Sequence, residues 1–243
     1  MRGDGRAANE LRRVGLRPDF TENPLASVLV EMGRTVVLCT VCDESGVPRW
    51  MQGRGRGWVT AEYSMLPGST DRRSDREAAR GRLSGRTQEI QRLIGRSLRA
   101  VADLDALGER TLWVDCDVLQ ADGGTRCASI TGAYTALALG TRRLLERGDL
   151  ARDPLRDSVA AVSAGVVAGE VVLDLCYQED SSAEVDMNVV ATGSGRLVEV
   201  QGTGEEGTFS REQLDQLTDV ALEGIAELCK LQERAVAEAI AKA

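Results

Sequence analysis

Two apolar β-hairpin patterns, one in each half of the chain, constrain the fold more than any other feature of the sequence. The first joins Ser27–Gly33 to Arg34–Val41 and turns at Gly33, while the second joins Val159–Val167 to Glu170–Tyr177 and turns at residues 168–169. Such runs need a covering apolar layer, which the segments that follow them must supply. The recurrence of the pattern indicates an internally duplicated chain.

Strands and long helices alternate along the rest of the sequence. Strands are expected at Trp58–Tyr63, Thr111–Leu119, Asp186–Ala191 and Leu197–Gln201, and helices from Thr87 to about Val101, over 127–147 and after Ser210. Ser210 and Gln213 form a capping box at the start of the last helix. The prediction is an α/β fold in which residues 1–243 form one compact domain with two pseudo-duplicated halves, about 1–150 and 151–243.

The composition limits the class of protein and the cellular compartment that this sequence fits. Of the 243 residues 42% are hydrophobic, which is enough for a sizeable core, and no apolar run approaches the roughly 18 residues of a membrane span. The N-terminal residues have no apolar run of signal-peptide length. The six cysteines are scattered through apolar contexts, so we expect reduced thiols, a cytoplasmic location and no contact with a membrane.

Histidine is absent from the chain, which excludes several mechanisms. There is no histidine base for a serine or cysteine nucleophile. A metal site would need oxygen or sulfur ligands, and oxygen ligands favour magnesium or manganese. Of the 30 basic residues 28 are arginines, and nine of them fall within residues 72–99 of a chain with net charge −8. This belt indicates either phosphate recognition, which the guanidinium fork suits, or solvated helix faces.

Two segments have the composition of an anion site and of a cation site. Asp122–Arg126 lies between a strand and a helix, where glycines and free N–H groups bind anions, although a plain turn has the same composition. Arg86 gains significance only if the fold brings it beside Arg126. Glu179–Asp186 is a polar, acid-rich loop whose aspartates, at 180 and 186, could hold a divalent cation or protonate a leaving group, or simply be solvated.

As a set, these segments resemble the ribonuclease PH family, the bacterial phosphorolytic exoribonucleases. The matching motifs cover nearly the whole chain in the family's order. They are RGDGR (2–6), GWVTAEYSMLP (57–67), GRTQEIQRLIGRSLR (85–99), DCDVLQADGGTR (115–126), SITG (129–132), EDSSAEVDMNVV (179–190) and EVQGT (199–203).

The resemblance implies roles for individual residues. The phosphate site would comprise Arg86, Gly124, Thr125 and Arg126. Asp180 and Asp186 would form the acidic catalytic pair that holds Mg²⁺ or Mn²⁺. Arg73 and Arg76 would contact RNA or a neighbouring subunit, and in that stretch Gly68 stands where the family usually has arginine, which puts tRNA affinity or ring stability in question.

The resemblance also implies an activity and an assembly. The fold would be two βαβα halves of the phosphorolytic ribonuclease superfamily, assembled as a homo-hexamer, a trimer of dimers. With inorganic phosphate as co-substrate, the enzyme would trim 3′ ends of tRNA precursors, and of ribosomal RNA as a further substrate, releasing nucleoside diphosphates reversibly. The alternatives are a non-catalytic RNA-binding ring subunit of an exosome-like assembly, which we expect to lack some site residues, and the catalytic subunit of an archaeal exosome.

Overall fold

In the computed structural model, which describes residues 2–205 and 207–242 except for the side chains of Ala78 and Arg80, the strands form two sheets. The first has the order β1-β2-β3-β5-β4, and its neighbours are antiparallel except for the parallel pair β4–β5. Its strands are β1 (Val14–Pro18), β2 (Ala26–Met32), β3 (Thr35–Ser45), β4 (Trp58–Met65) and β5 (Arg110–Gln120).

The second sheet belongs to the second half of the chain and is antiparallel throughout, in the order β7-β6-β8-β9. Its strands are β6 (Val159–Val167), β7 (Glu170–Leu173), β8 (Val185–Thr192) and β9 (Leu197–Gly204). The helices are α1 (Gly85–Val101), α2 (Leu104–Leu107), α3 (Thr125–Glu146), α4 (Tyr177–Asp180) and α5 (Arg211–Ile240), with a 3-10 turn at Glu77–Arg80. The predicted α/β class is confirmed.

Both hairpins form where the sequence predicts them, and the capping box of Ser210 and Gln213 begins α5. The strand predicted to continue to Tyr177 is wrong beyond Leu173. Asp174 takes a left-handed conformation (φ 54°), and its side chain turns into a buried ion pair, so the chain leaves the sheet and forms α4. Strand β1 was not predicted.

Helix α3 packs against both sheets. It packs on β2 and β3 of the first sheet and on β6 of the second, and one hydrophobic cluster runs through both halves of the chain. The buried Gln232 of α5 donates to the carbonyl oxygens of Thr131 in α3 and Val159 in β6, at 2.9 and 3.0 Å. The position of α3 is therefore fixed from both halves.

No helix of the described segments combines the length and apolar composition that a membrane span requires.

Gly132 provides a test of how closely α3 approaches the first sheet. A Cβ atom there would lie 2.7 Å from Val30 Cγ1 and 2.8 Å from Cys39 Sγ. We expect Gly132→Ala to lower the free energy of unfolding by about 1–2 kcal/mol, because overpacking costs more than the better helix propensity returns. Gly85→Ala, where a Cβ would meet nothing within 4 Å, should be neutral or stabilising in the same denaturant titration. Equal effects of the two substitutions would contradict this packing.

Candidate active site

A glycine turn connects β5 to α3 and brings the two halves of the chain into contact. Gly123 and Gly124 have φ values of 76° and 65°, in the region that favours glycine. A Cβ atom on Gly123 would lie 2.8 Å from main-chain atoms of Leu175, Cys176 and Tyr177. Only glycine therefore allows this turn to lie against the segment that begins α4. We call residues 122–126 the phosphate loop.

The phosphate loop ends in the first turn of α3, which has the features of an anion site. Gly124 is the N-cap residue, so no side chain accepts the N–H groups of this turn, and the positive end of the helix dipole stays open. The buried Thr125 accepts a hydrogen bond from the Tyr63 hydroxyl of β4 at 3.0 Å. The N–H groups and the threonine are thus held in place before any ligand binds.

Arg126 projects from the same turn and is oriented by residues of other elements. Its side chain is 14% exposed. Its Nη1 donates a short hydrogen bond to Oε1 of Gln201 in β9 and lies 3.7 Å from Oε1 of Glu89 in α1. The guanidinium is therefore aimed by both halves of the chain. Gln201 lies within the EVQGT motif, but its role is not predicted from the sequence.

Asp180 and Asp186 lie on the second half of the chain, at the last residue of α4 and the second residue of β8. Burial raises the pKa of Asp186 to about 6, and the negative charge of Asp180 contributes in the same direction. Burial also raises the pKa of Asp180, while the positive charges of Arg86 and Arg126 oppose the shift. Asp180 therefore lies within electrostatic range of Arg86, Arg126 and Asp186, and Asp186 lies within range of Arg126.

The aspartate pair fits a hard divalent cation. Among the described residues, no group of three or more acidic or cysteine side chains is arranged to hold a metal ion. Burial is the main reason that the pKa of Asp186 is raised, the negative charge of Asp180 adds to the shift, and a bound cation would offset both effects. A site with two carboxylate ligands suits Mg²⁺ or Mn²⁺, which keep water and substrate oxygens as their other ligands.

Arg73 and Arg76 lie in the loop after β4 and line an open cleft of about 660 Å³, to which Arg86 also contributes. The lining also includes acidic residues of the sheet, because Glu62 and Asp115 are direct partners across the parallel strands β4 and β5, with Asp117 two residues on. Burial raises the pKa of Asp115, and its acidic neighbours reinforce the shift. The cleft is therefore lined by both basic and acidic side chains.

The unusual glycine of this region, Gly68, stands in open space. A Cβ atom there would meet nothing within 4 Å. The missing arginine therefore changes surface charge and leaves the packing of the chain unaffected.

A buried ion pair between Arg12 and Asp174 lies next to the phosphate loop. The sequence does not predict this pair. Arg12 donates from Nη2 to Asp174 Oδ1 at 2.7 Å and from its main-chain N to Oδ2 at 2.8 Å, and its Nη1 donates to the Asp122 carbonyl oxygen at 2.7 Å. Burial lowers the pKa of Arg12, but Asp174 outweighs burial and raises it. Sequence spacing gives no signal for a pair separated by 162 residues.

Comparisons with known proteins agree with this architecture. Residues 10–141 and 157–224 match the family models described as 3′ exoribonuclease family, domain 1 and domain 2. The chain is 54% identical over 241 residues to the ribonuclease PH of Bacillus cereus and to that of Bacillus anthracis, covering 99% of this chain and 98% of each relative.

Two solved structures share the fold. A chain of the Archaeoglobus fulgidus exosome, solved with RNA bound to the active site, matches with a TM-score of 0.78 and 25% identity, covering 96% of this chain and 92% of that one. Rice Rrp46 matches with a TM-score of 0.77 and 19% identity, covering 97% of this chain and 100% of that one.

The raised pKa of Asp186 predicts a pH-dependent stability. Its folded-state pKa of about 6 exceeds that of an unfolded aspartate, about 3.9. The charged Asp186 carboxylate therefore lowers the free energy of unfolding above pH 6, and this effect is absent below about pH 4, where the group is protonated in both states. Without metal, we expect Asp186→Asn to raise the stability at about pH 7.5 by on the order of 1–2 kcal/mol. The gain should vanish near pH 4 in thermal melts.

The exposed Asp219 provides the control. Asp219→Asn should produce no pH-dependent gain in the same melts. If Asp186→Asn stabilised the protein equally at both pH values, its effect would come from packing and not from the removal of charge.

Proposed function

This chain belongs to the 3′ exoribonuclease family, in its ribonuclease PH branch, and we propose that its paired phosphate loop and aspartates are the centre at which it performs phosphorolysis. The protein is a phosphorolytic 3′–5′ exoribonuclease with nucleotidyltransferase activity that processes tRNA. The observation that carries the proposed site is the meeting of two arginines and two aspartates, from both halves of the chain, beside an open helix N-terminus. Residues 1–243 act together as one catalytic unit.

Inorganic phosphate binds at the phosphate loop. The N–H groups of the first turn of α3, the Thr125 hydroxyl and the Arg126 guanidinium provide donors from a single helical turn. Arg86 adds a second positive charge from the start of α1. These groups hold the dianion in line with the last RNA linkage and offset its repulsion from the phosphodiester, which is the principal requirement of phosphoryl transfer.

The chemical step balances without histidine. An oxygen of monohydrogen phosphate bonds to phosphorus of the last phosphodiester, and the bond from that phosphorus to the 3′ oxygen of the preceding nucleotide breaks. The proton of the attacking phosphate ends on the departing 3′ oxygen. The products are a nucleoside diphosphate and an RNA one nucleotide shorter. Because the diphosphate retains a phosphoanhydride bond, the reverse reaction adds nucleotides.

Asp180 and Asp186 would hold Mg²⁺ or Mn²⁺ beside the reacting linkage. When bound, the ion supplies positive charge that stabilises the phosphoryl oxygens and the leaving oxygen. The two carboxylates orient it from α4 and β8, while the raised pKa of Asp186 shows that the protein alone leaves negative charge there uncompensated.

The charged cleft beside Arg86 supports two further proposals. Arg73 and Arg76 are exposed and carry charge suited to the tRNA backbone. The acidic residues of the same cleft, on β4 and β5, are suited to the arginine belt of a second copy of the chain, and this charge complementarity supports a homo-hexameric ring built as a trimer of dimers. The six cysteines are free, which supports a reducing, cytoplasmic location.

A non-catalytic RNA-binding ring subunit remains the alternative function. The fold shared with the exosome chain and with Rrp46 agrees with it equally well. The complete set of site residues favours the enzyme, because a scaffold has no need of an aspartate pair with a raised pKa.

The deciding experiment incubates a 3′-extended tRNA precursor with the protein and Mg²⁺, with and without inorganic phosphate, and identifies the released nucleotide. We expect nucleoside diphosphates only when phosphate is present. Monophosphates released without phosphate would indicate a hydrolase. RNA binding with no release would support the scaffold.

Arg126→Ala should reduce phosphorolysis by at least about 100- to 1,000-fold, because it removes a donor that binds the developing charge. The dissociation constant for tRNA in a filter-binding assay should change little, since RNA is held at many other points. Arg196→Ala, at an exposed arginine of the β8–β9 turn, is the matched control. Parallel losses of binding and turnover in Arg126→Ala would contradict this division of roles.

The double variant Arg73→Ala/Arg76→Ala tests the charged cleft. We expect a smaller particle in light scattering and weaker tRNA binding with a shallower salt dependence, because up to two phosphate contacts are lost. Arg211→Ala/Arg234→Ala removes the same charge from exposed positions of α5 and should leave both properties unchanged. An intact ring with unaltered tRNA affinity would remove the cleft from both roles.

A further inference from the structure

The N-terminal strap, which we define as residues 2–12, connects the two sides of the active site. Its main chain joins the end of β7 through a hydrogen bond from Leu173 N to the Ala8 carbonyl oxygen at 2.7 Å. Its arginines reach residues of the second half, and Arg12 also reaches the phosphate loop at the Asp122 carbonyl oxygen. The strap therefore contacts both the loop that binds phosphate and the segment that leads to Asp180.

Arg2 makes the most specific contact of the strap. Its Nε and Nη2 donate to the two carboxylate oxygens of Glu179, each at 2.7 Å, and the two side chains are 4% and 11% exposed. Arg2 Nη2 also donates to the Asp174 carbonyl oxygen at 3.0 Å. Arg6 lies 3.5 Å from the same carboxylate. Burial opposes the charge of Glu179, but the Arg2 hydrogen bonds and the Cys176 N–H outweigh it and lower the pKa of Glu179.

The partner of Arg2 is the residue directly before Asp180. Both belong to α4, a helix of four residues that is too short to be stable by itself. Oε2 of Glu179 accepts the Cys176 N–H at 3.1 Å, so the same carboxylate that binds Arg2 also caps the helix. Tyr177 and Gln178 are exposed and contribute little packing. The ion pair is therefore a two-point side-chain contact that fixes α4 from outside the helix.

We propose that Arg2 is a positioning residue for the reaction, acting through Glu179 to hold α4, and with it Asp180, against the phosphate loop. The inference rests on the role proposed above for Asp180. A two-point ion pair fixes both the distance and the rotation of the helix, which a single contact would not. Arg2 does not reach the phosphate loop itself; that contact belongs to Arg12.

This arrangement predicts which kinetic constants change. In Arg2→Met, kcat for phosphorolysis should fall by about 10- to 100-fold, the loss expected when a reacting group is displaced by about 1 Å. The KM for phosphate should stay within about twofold, because the loop donors are untouched. Mn²⁺ binding, followed by electron paramagnetic resonance without RNA or phosphate, should weaken. Arg2→Lys keeps the charge without the fork and should fall in between.

Matched variants separate positioning from general stabilisation. Arg211→Met removes an arginine from an exposed ion pair with Asp215 and should change neither kcat nor Mn²⁺ affinity. The exchange Arg2→Glu/Glu179→Arg should recover part of the kcat lost in Arg2→Glu alone. If Arg2→Met fails to fold, kcat and Mn²⁺ affinity are measured in Arg2→Lys instead.

Two outcomes would overturn the inference. One is an unchanged kcat in Arg2→Met and Arg2→Lys at a temperature where both are folded. The other is a rise in the phosphate KM with kcat preserved, which would assign the strap to the phosphate loop. Absence of phosphorolysis in the unmodified protein would instead contradict the proposed function, so the two failures are distinguishable.

Discussion

The buried pair of Arg12 and Asp174 is the interaction on which the site depends. Both side chains are almost fully buried, at 4% and 1% exposed, and removing one partner of such a pair leaves an uncompensated charge that typically costs about 3–5 kcal/mol. The pair also determines where strand β7 ends, because Asp174 leaves the strand with a positive φ and its side chain binds Arg12. Since Arg12 also binds the Asp122 carbonyl oxygen, one guanidinium joins the phosphate loop to the segment before α4.

The site illustrates how an acidic protein binds an anionic substrate. The net charge of −8 would repel both phosphate and RNA if it were spread evenly. Positive potential is instead concentrated at one place by the open end of α3, Arg86 and Arg126. The nearby aspartates place negative charge beside it. Opposite charges at short range suit a reaction that must hold an anion and a divalent cation at once, and they make histidine unnecessary.

Local chemistry explains what the sequence predicted well. The hairpins, the capping box of Ser210 and the amphipathic stripe of α1 depend on neighbours a few residues away, so their patterns are visible in the sequence. The glycines of the phosphate loop are predictable for the same reason, although the contact that requires Gly123, with the main chain near Cys176, is not. The strand predicted to reach Tyr177 failed because a distant arginine, and not local propensity, ends it at Leu173.

The sequence by itself determined the α/β class, the absence of histidine chemistry and, through its motifs, the family, and it predicts the residues of the proposed site. Only the tertiary structure decided how those residues are held. Gln201 aims Arg126, Glu179 carries the contact from Arg2 to the helix of Asp180, and Tyr63 fixes Thr125. Each of these contacts joins residues more than 60 positions apart. Spacing along the chain carries no information about such pairs, because they form only once the helices and sheets have packed together.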